Sequence, residues 1–247
     1  MNKTFKSILL LSCLSIFSIS LIAQDDRDFR LGFKITPGLN YVKNKTSNVS
    51  NNGMGIGFSF GLMADVKLAE NYFFSPELIV SSMTNNVKLK DTAQLTLANT
   101  TPGGYYNKVS YKYNLKYIEI PLLFKFRTGE TNGIRYWGQV GVAPGFIIGS
   151  NVTTTASKNN GASDYPISEK YIPNVGENDK FDFKQYQDNI NVLRMSMILG
   201  LGIEYRLSGN TSLYTGFRFN NGFTDMLNDK KSKAINNVIG LEIGLFF

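Results

Sequence analysis

The amino-acid sequence predicts an all-β fold, an eight-stranded antiparallel up-and-down transmembrane β-barrel with short periplasmic turns and long extracellular loops. Eight segments between residues 29 and 247 alternate apolar and other side chains with a period of two, as strands with two unlike faces do. Their connections alternate in length: the long, polar ones are 42–53, 84–108, 149–191 and 222–233, and the tight ones are 69–71, 127–133 and 208–210. Outer-membrane barrels show this asymmetry between their two ends.

Seven of the eight predicted strands keep one apolar face from end to end. With the parity of the apolar positions in parentheses, they are 29–36 (odd), 54–68 (even), 72–83 (even), 134–148 (even), 193–207 (odd), 213–220 (odd) and 235–247 (odd). Most are longer than the 9–11 residues that a tilted strand needs to cross a bilayer, so several should project beyond it. Because the strand number is even, both termini should lie on the periplasmic side.

The remaining strand, at 109–126, changes phase. Tyr111, Tyr113 and Leu115 share one parity, and the apolar residues from Ile118 to Phe126 share the other. A β-bulge near Tyr117 would bring both sets onto one face. Alternatively, the first part of the strand stands above the bilayer and needs no apolar outer face.

The N-terminus resembles a secretory signal peptide. Two lysines precede an apolar run that ends near Ala23, which predicts a signal peptide at 1–23 and a barrel domain at 24–247. A retained membrane helix is less favoured because the apolar run is short for spanning a bilayer. A lipoprotein anchor at Cys13 would leave an apolar stretch on the mature chain.

Composition argues against common catalytic chemistries. Cys13 is the only cysteine and there is no histidine, so the mature chain lacks a thiolate and the commonest general base and metal ligand. No nucleophile elbow or phosphate-binding loop is present. We therefore predict no enzyme activity and no cofactor. The net charge of +7 is scattered and shows no nucleic-acid-binding motif; it suits contact with anionic lipid headgroups or lipopolysaccharide.

The orientation of the polar face of the strands distinguishes a membrane barrel from a soluble barrel. In a membrane barrel the apolar face is outside and the polar face lines the lumen, which eight strands make just wide enough for side chains to fill. A soluble barrel remains the alternative. The predicted lumen charge network, which should be internally paired, is Arg30, Lys34, Asp65, Lys67, Glu77, Glu119, Lys125, Arg135, Glu204, Arg206, Arg218 and Glu242.

Five short motifs, in order, resemble the PorT-like outer-membrane β-barrel proteins of Bacteroidota. The clearest is Tyr117-Ile118-Glu119-Ile120-Pro121-Leu122 with Lys125 after it, similar to the family's Tyr-Leu-Glu-Ile-Pro-Leu pattern; the others lie at 76–78, 138–145, 200–205 and 219–225. The resemblance implies an outer-membrane location and an OmpA- or OmpX-like barrel. It also implies an accessory role in type IX protein secretion, and it offers no catalytic residues.

Three features are candidates for function. Glu119 and Pro121 form either a contact site or a bulge with an internal salt bridge to Lys125 or Arg135. The long connection 149–191 could be a partner-binding surface or a lid over the barrel mouth, and its aromatic residues are Tyr165, Tyr171, Phe181, Phe183 and Tyr186. Calcium binding by Asp179 and Asp182 is a weak alternative. Phe247 fits the terminal aromatic signal for outer-membrane insertion.

The sequence therefore predicts a non-catalytic outer-membrane protein with a structural or interaction role through its extracellular loops. The alternatives are an accessory component of type IX secretion and a narrow channel for small solutes. Expected partners are outer-membrane lipid or lipopolysaccharide, the outer-membrane insertion machinery, and envelope or secretion proteins.

Overall fold

The computed structural model describes residues 28–44, 49–89, 93–95, 104–158, 166–171, 190–226 and 234–247. Twelve strands are formed: β1 (Phe29–Asn44), β2 (Val49–Asn51), β3 (Gly55–Ala69), β4 (Tyr72–Leu89), β5 (Ala93–Leu95), β6 (Gly104–Glu119), β7 (Leu122–Arg127), β8 (Ile134–Lys158), β9 (Pro166–Tyr171), β10 (Leu193–Ser208), β11 (Thr211–Gly222) and β12 (Ala234–Phe246). Within these ranges, no helix is long and apolar enough to cross a membrane.

Eight long antiparallel segments of the barrel wall, here called staves, close into a ring, which confirms the predicted fold class. In chain order the staves are β1, β3, β4, β6 with β7, β8, β10, β11 and β12. Each stave pairs with its neighbour in the chain, β12 pairs with β1, and β8 pairs with β10. The fourth stave consists of β6 and β7, which are separated only by Ile120 and Pro121. Although proline cannot donate to the ladder, the Pro121 carbonyl accepts a hydrogen bond from the Glu77 amide at 2.9 Å, so the break does not open the wall.

The tight turns lie at one end of the ring, as predicted. Residues 70–71 join β3 to β4 and residues 209–210 join β10 to β11, while 128–133 join β7 to β8. Gly209 has a φ of 52°, and Asn132 and Gly133 have φ of 53° and 78°. These left-handed conformations favour glycine and asparagine, which explains why the reversals are so short.

An apolar belt surrounds the ring. On β4 it runs from Tyr72 to Val80, and on the fourth stave from Ile118 to Phe126. Each stretch is nine residues long, within the range that spans a bilayer. Exposed aromatic residues mark its periplasmic edge, as in membrane barrels: Phe29, Tyr72, Phe126, Tyr136, Tyr205 and Phe247.

Above the belt the two faces exchange polarity. Outward positions become polar, as at Ser82 and Lys116, while inward positions become apolar. The inward residues form a buried cluster, here called the apolar roof: Val42, Met83, Val87, Tyr113, Leu115, Tyr117, Ile147, Ile190, Met226 and Ala234. Outside the bilayer the outer face meets water and the inner face must supply the core, so the polarity is that of a soluble barrel.

This exchange corrects two predictions. The predicted connections 42–53, 84–108 and 149–191 are partly strand, since β1 reaches residue 44, β4 reaches 89, β6 begins at 104 and β8 reaches 158. The predicted bulge near Tyr117 does not realign the fourth stave, because Tyr113, Leu115, Tyr117 and Glu119 all face inward. The register shift at Lys116 and Tyr117 instead places the extra residue in β8.

Candidate functional site: a charge-filled, roofed lumen

The middle of the lumen holds a cluster of four buried ionic side chains from β1, β4, β11 and β12. Lys34 donates to Glu77 and to Glu242, both at 2.5 Å. Arg218 donates to the same two carboxylates at 3.0 and 2.8 Å. All four side chains are at most 9% exposed. We call them the central quartet; each charge in it contacts two of the opposite sign.

Glu119 lies above the central quartet and pairs with a residue that the predicted network omitted. It accepts a hydrogen bond from the Ser81 hydroxyl at 2.8 Å and from Arg194 at 3.4 Å. Arg194 also donates to Asn220 and to Ser196. The predicted partners of Glu119 were wrong, because Lys125 and Arg135 lie nearer the periplasmic end of the lumen and pair there.

A second ionic group lies below the quartet, towards the periplasm. Arg30 bridges Asp65 and Glu204, each at 2.7 Å. Lys125 and the Ser75 hydroxyl also donate to Asp65, at 2.7 and 2.5 Å. Glu204 also forms ion pairs with Arg135, at 3.3 Å, and with Arg127, at 3.6 Å.

The periplasmic rim is more solvated. Arg135 pairs with Glu130 at 2.6 Å, and Arg206 lies 3.6 Å from Glu130. Arg206 is a third exposed and donates to the Gly209 carbonyl, so it belongs to the turn and not to the buried network. Lys67 is half-buried on the inward face of β3.

Aromatic rings lie between the central quartet and the lower ionic group. Trp137 stacks on Tyr214 with ring centroids 4.3 Å apart, and Tyr214 meets Phe246 edge to face at 5.6 Å. Lys125 and Arg30 lie over the Phe246 ring at 4.8 and 4.3 Å. These cation–π contacts hold the cations in place where water is excluded.

The charges of the buried lumen balance. Among the described residues, five cations and five carboxylates are at most 10% exposed: Arg30, Lys34, Lys125, Arg194 and Arg218 against Asp65, Glu77, Glu119, Glu204 and Glu242. A buried unpaired charge is strongly destabilising. Separating these paired side chains would therefore cost free energy, and they stay packed in the lumen.

Small cavities lie beside the charges, next to the apolar roof. One of about 30 Å³ touches Asn40, Glu119 and Arg218, and one of about 10 Å³ touches Arg194, Asp225 and Asn236. The amide oxygens of Asn40 and Asn236 are buried without a protein partner. A cavity of this size has room for one or two waters, which can bind the unpaired amide oxygens.

The roof is completed by residues next to the extracellular ends of β10, β11 and β12. The Met226 amide donates to the Ala234 carbonyl at 2.7 Å, and the Asn191 amide donates to the Met226 carbonyl at 3.0 Å. These bonds hold Ile190 and Met226 against the roof, where Leu115 is fully buried. The lumen is therefore closed at its outer end as well as filled.

Sequence reasoning placed most of the network on the correct face. Alternation also puts Arg194 on the polar face of its strand, although Arg194 is not among the predicted network residues. Arg127 continues the parity of Leu123 and Lys125, so alternation could have found it as well. Of the predicted loop residues, Tyr165, Phe181, Phe183 and Tyr186 lie outside the described residues, as do Asp179 and Asp182; for Tyr171 only the backbone, in β9, is described. The described part of the chain contains no cluster of carboxylates that could hold a metal ion.

The closed ring, apolar belt and ionic interior define a membrane-spanning barrel of the bacterial outer membrane. The family model described as outer membrane protein beta-barrel domain matches residues 22–228, and the chain belongs to that family. The protein is thus an outer-membrane protein.

Solved structures of three outer-membrane proteins are similar. Neisserial surface protein A is 14% identical, with 87% of this chain and 95% of its own covered and a TM-score of 0.38. OprG of Pseudomonas aeruginosa is 13% identical, with coverage of 87% and 94% and a TM-score of 0.38. Ail, the attachment invasion locus protein of Yersinia pestis, is 10% identical, with coverage of 88% and 99% and a TM-score of 0.33. No curated protein sequence matches the chain.

Proposed function

We propose that this protein is a non-catalytic outer-membrane barrel that serves as a structural or interaction protein of the cell envelope and acts through its extracellular end. The observation that carries the proposal is the lumen, which is filled by the central quartet and closed by the apolar roof. A lumen built in this way supports rigidity of the barrel and not passage of solutes. The strands that continue above the belt supply a folded platform for the long connections.

Reconstitution in planar bilayers tests the closed lumen. We expect no stepwise conductance from the wild-type protein, because the described lumen is filled by paired, buried ionic side chains and covered by the apolar roof. Regular unit conductance from correctly folded protein would contradict the proposal and favour the narrow channel. Heat-dependent migration on gels, which a closed barrel shows, confirms that the sample is folded.

Complementation of a deletion strain tests the extracellular role. One variant replaces residues 172–189 with a short linker, and a matched variant, Glu130→Gln, alters the periplasmic rim. We expect both proteins to insert into the outer membrane. Only the rim variant should reverse the cell-envelope defect of the deletion strain. Full rescue by the linker variant would contradict a role for this connection.

The PorT-like assignment, with an accessory role in type IX secretion, is the more specific form of the proposal. Its support is the order of the five sequence motifs. Quantitative mass spectrometry of culture supernatants tests it: selective loss of large secreted proteins from the deletion strain, restored by complementation, is the expected result. An unchanged set of secreted proteins would refute the secretion role and leave the interaction role standing.

A further inference from the structure

Three lysines form a basic cluster on the outer surface of the barrel, above the apolar belt. We call Lys88, Lys112 and Lys116 the outer lysine cluster. Lys116 lies two residues beyond the outward-facing Ile118, which places it about 7 Å along the strand above the last apolar position of the belt. Lys116 is therefore at the level where a bilayer changes from hydrocarbon to headgroups, and Lys112 and Lys88 lie further out on the same surface.

Strand register brings the three lysines onto one surface. Lys112 pairs across the sheet with Asn86, so Lys88 is its diagonal neighbour on β4. Lys112 and Lys116 face the same side of β6, about 13 Å apart. Both are exposed, whereas Lys88 is half-buried. Lys112 and Lys116 therefore place two positive charges on one outward face, and Lys88 adds a third on the neighbouring strand.

No described side chain neutralises the cluster. The acidic residues of β4 and β6 are Glu77 and Glu119, and both face the lumen. On the neighbouring β8, the residues from Gly149 to Asn151 are uncharged. The lysines of the lumen behave differently, since Lys34 and Lys125 both contact carboxylates. An outward ammonium with no described ion-pair partner is available to an external anion.

Packing directs Lys116 along the surface. A side chain at Gly149 would meet the Cδ and Cβ atoms of Lys116 at 3.7 and 3.8 Å, so the lysine stem lies over the glycine. The stem covers apolar surface while its charged end reaches the headgroup layer, as lysines at membrane interfaces do.

We infer that the outer lysine cluster is a binding site for the phosphates of an outer-leaflet glycolipid headgroup. Basic side chains near an anionic membrane surface each strengthen binding about fivefold. A headgroup with two phosphates can offer one phosphate to each of Lys112 and Lys116, whereas a headgroup with a single phosphate supplies fewer negative charges to the same two lysines. This goes beyond the proposed function, because it assigns a lipid to a defined site on the barrel wall.

The test uses the full-length protein in nanodiscs of phosphatidylcholine that contain bisphosphorylated lipid A, with retained lipid counted by native mass spectrometry after transfer to detergent. We expect the wild-type protein to retain lipid A, and Lys112→Gln with Lys116→Gln to reduce retention at least fivefold. Lys112→Arg with Lys116→Arg should restore it, because the charge is preserved. Monophosphorylated lipid A should be retained less than the bisphosphorylated form.

A matched control separates a site from net charge. Lys43 is also exposed near the extracellular end but lies on β1, two staves from β4. Lys43→Gln should change retention less than Lys116→Gln, and equal losses would overturn the assignment. Retention unaffected by the double substitution would also overturn it, as would displacement of lipid A by millimolar inorganic phosphate, which would indicate a simple anion site.

Discussion

Replacing Glu242 with glutamine removes one negative charge from the centre of the lumen. Glu242 is completely buried and accepts hydrogen bonds from Lys34, Arg218, Gln139 and the Tyr214 hydroxyl. Glutamine has nearly the same volume, so the substitution changes charge and hydrogen bonding with little effect on packing. After the change, Lys34 and Arg218 share the single carboxylate of Glu77.

The expected cost follows from this geometry. Removing one partner of a buried ion pair destabilises a protein by about 3–5 kcal/mol. The glutamine oxygen can still accept one hydrogen bond, and Glu77 stays 2.5 Å from Lys34 and 3.0 Å from Arg218, so we expect about 3 kcal/mol. Glu130→Gln is the matched control: its side chain is 26% exposed at the rim, and we expect a loss below about 1 kcal/mol.

Urea unfolding in lipid vesicles measures both variants. Trp137 is the only tryptophan and stacks on Tyr214, so its fluorescence reports directly on this part of the lumen. Lys34→Met combined with Glu242→Gln removes a cation and an anion together and should cost less than the sum of the two single changes. The reasoning is refuted if Glu242→Gln and Glu130→Gln lose the same stability, or if the double variant is strictly additive.

Three further outcomes are expected. Leu115→Ala should cost about 3 kcal/mol in the same assay, because it opens a cavity in the apolar roof; a loss below 1 kcal/mol would argue against a packed roof. Gly216→Ala should cost about 1–3 kcal/mol and shift Trp137 emission, since the added carbon would lie 2.4 Å from both the Trp137 ring and the Leu201 carbonyl; an unchanged spectrum would contradict this. Phe247→Ser should reduce insertion in cells several-fold while changing unfolding by less than about 1 kcal/mol, and normal insertion would remove Phe247 as the signal.

The belt was predictable from sequence because one physical constraint acts on every stave at the same level. Lipid surrounds the ring, so each strand must alternate within the same span of 9–11 residues. The tight turns were predictable for a similar reason, since residues such as Asn132, Gly133 and Gly209 favour reversals. Neither inference needs knowledge of which strands are neighbours.

The pairing inside the lumen was not predictable in this way. Alternation tells which face a residue occupies but not its height in the barrel, which depends on the stagger of the closed ring. Arg30 meets Glu204 across 174 positions, and Lys34 meets Glu242 across 208. The expectation that Glu119 pairs with Lys125 relied on closeness in sequence, whereas its partner Arg194 is 75 positions away.

The change of parity in the fourth stave marks the level at which the apolar face moves from the outside to the inside of the barrel, and the predicted bulge misinterpreted it. Tyr113 and Leu115 are apolar at inward positions, and a bulge was one of two ways to explain them. The other explanation, that this part stands above the bilayer, is closer to the structure but incomplete. It omitted the need for a core: once lipid no longer covers the outer face, burial of apolar area must occur on the inner face.

The two zones of the lumen close the barrel by different physical means, and this has a consequence for any search for conductance. The ionic zone resists the entry of a water-filled path because separating its ion pairs would leave poorly solvated charges. The apolar roof resists it because hydration of apolar side chains is unfavourable. A substitution in one zone leaves the other intact. A variant that conducts should therefore need changes in both, such as Arg218 together with Leu115, and neither single change should suffice.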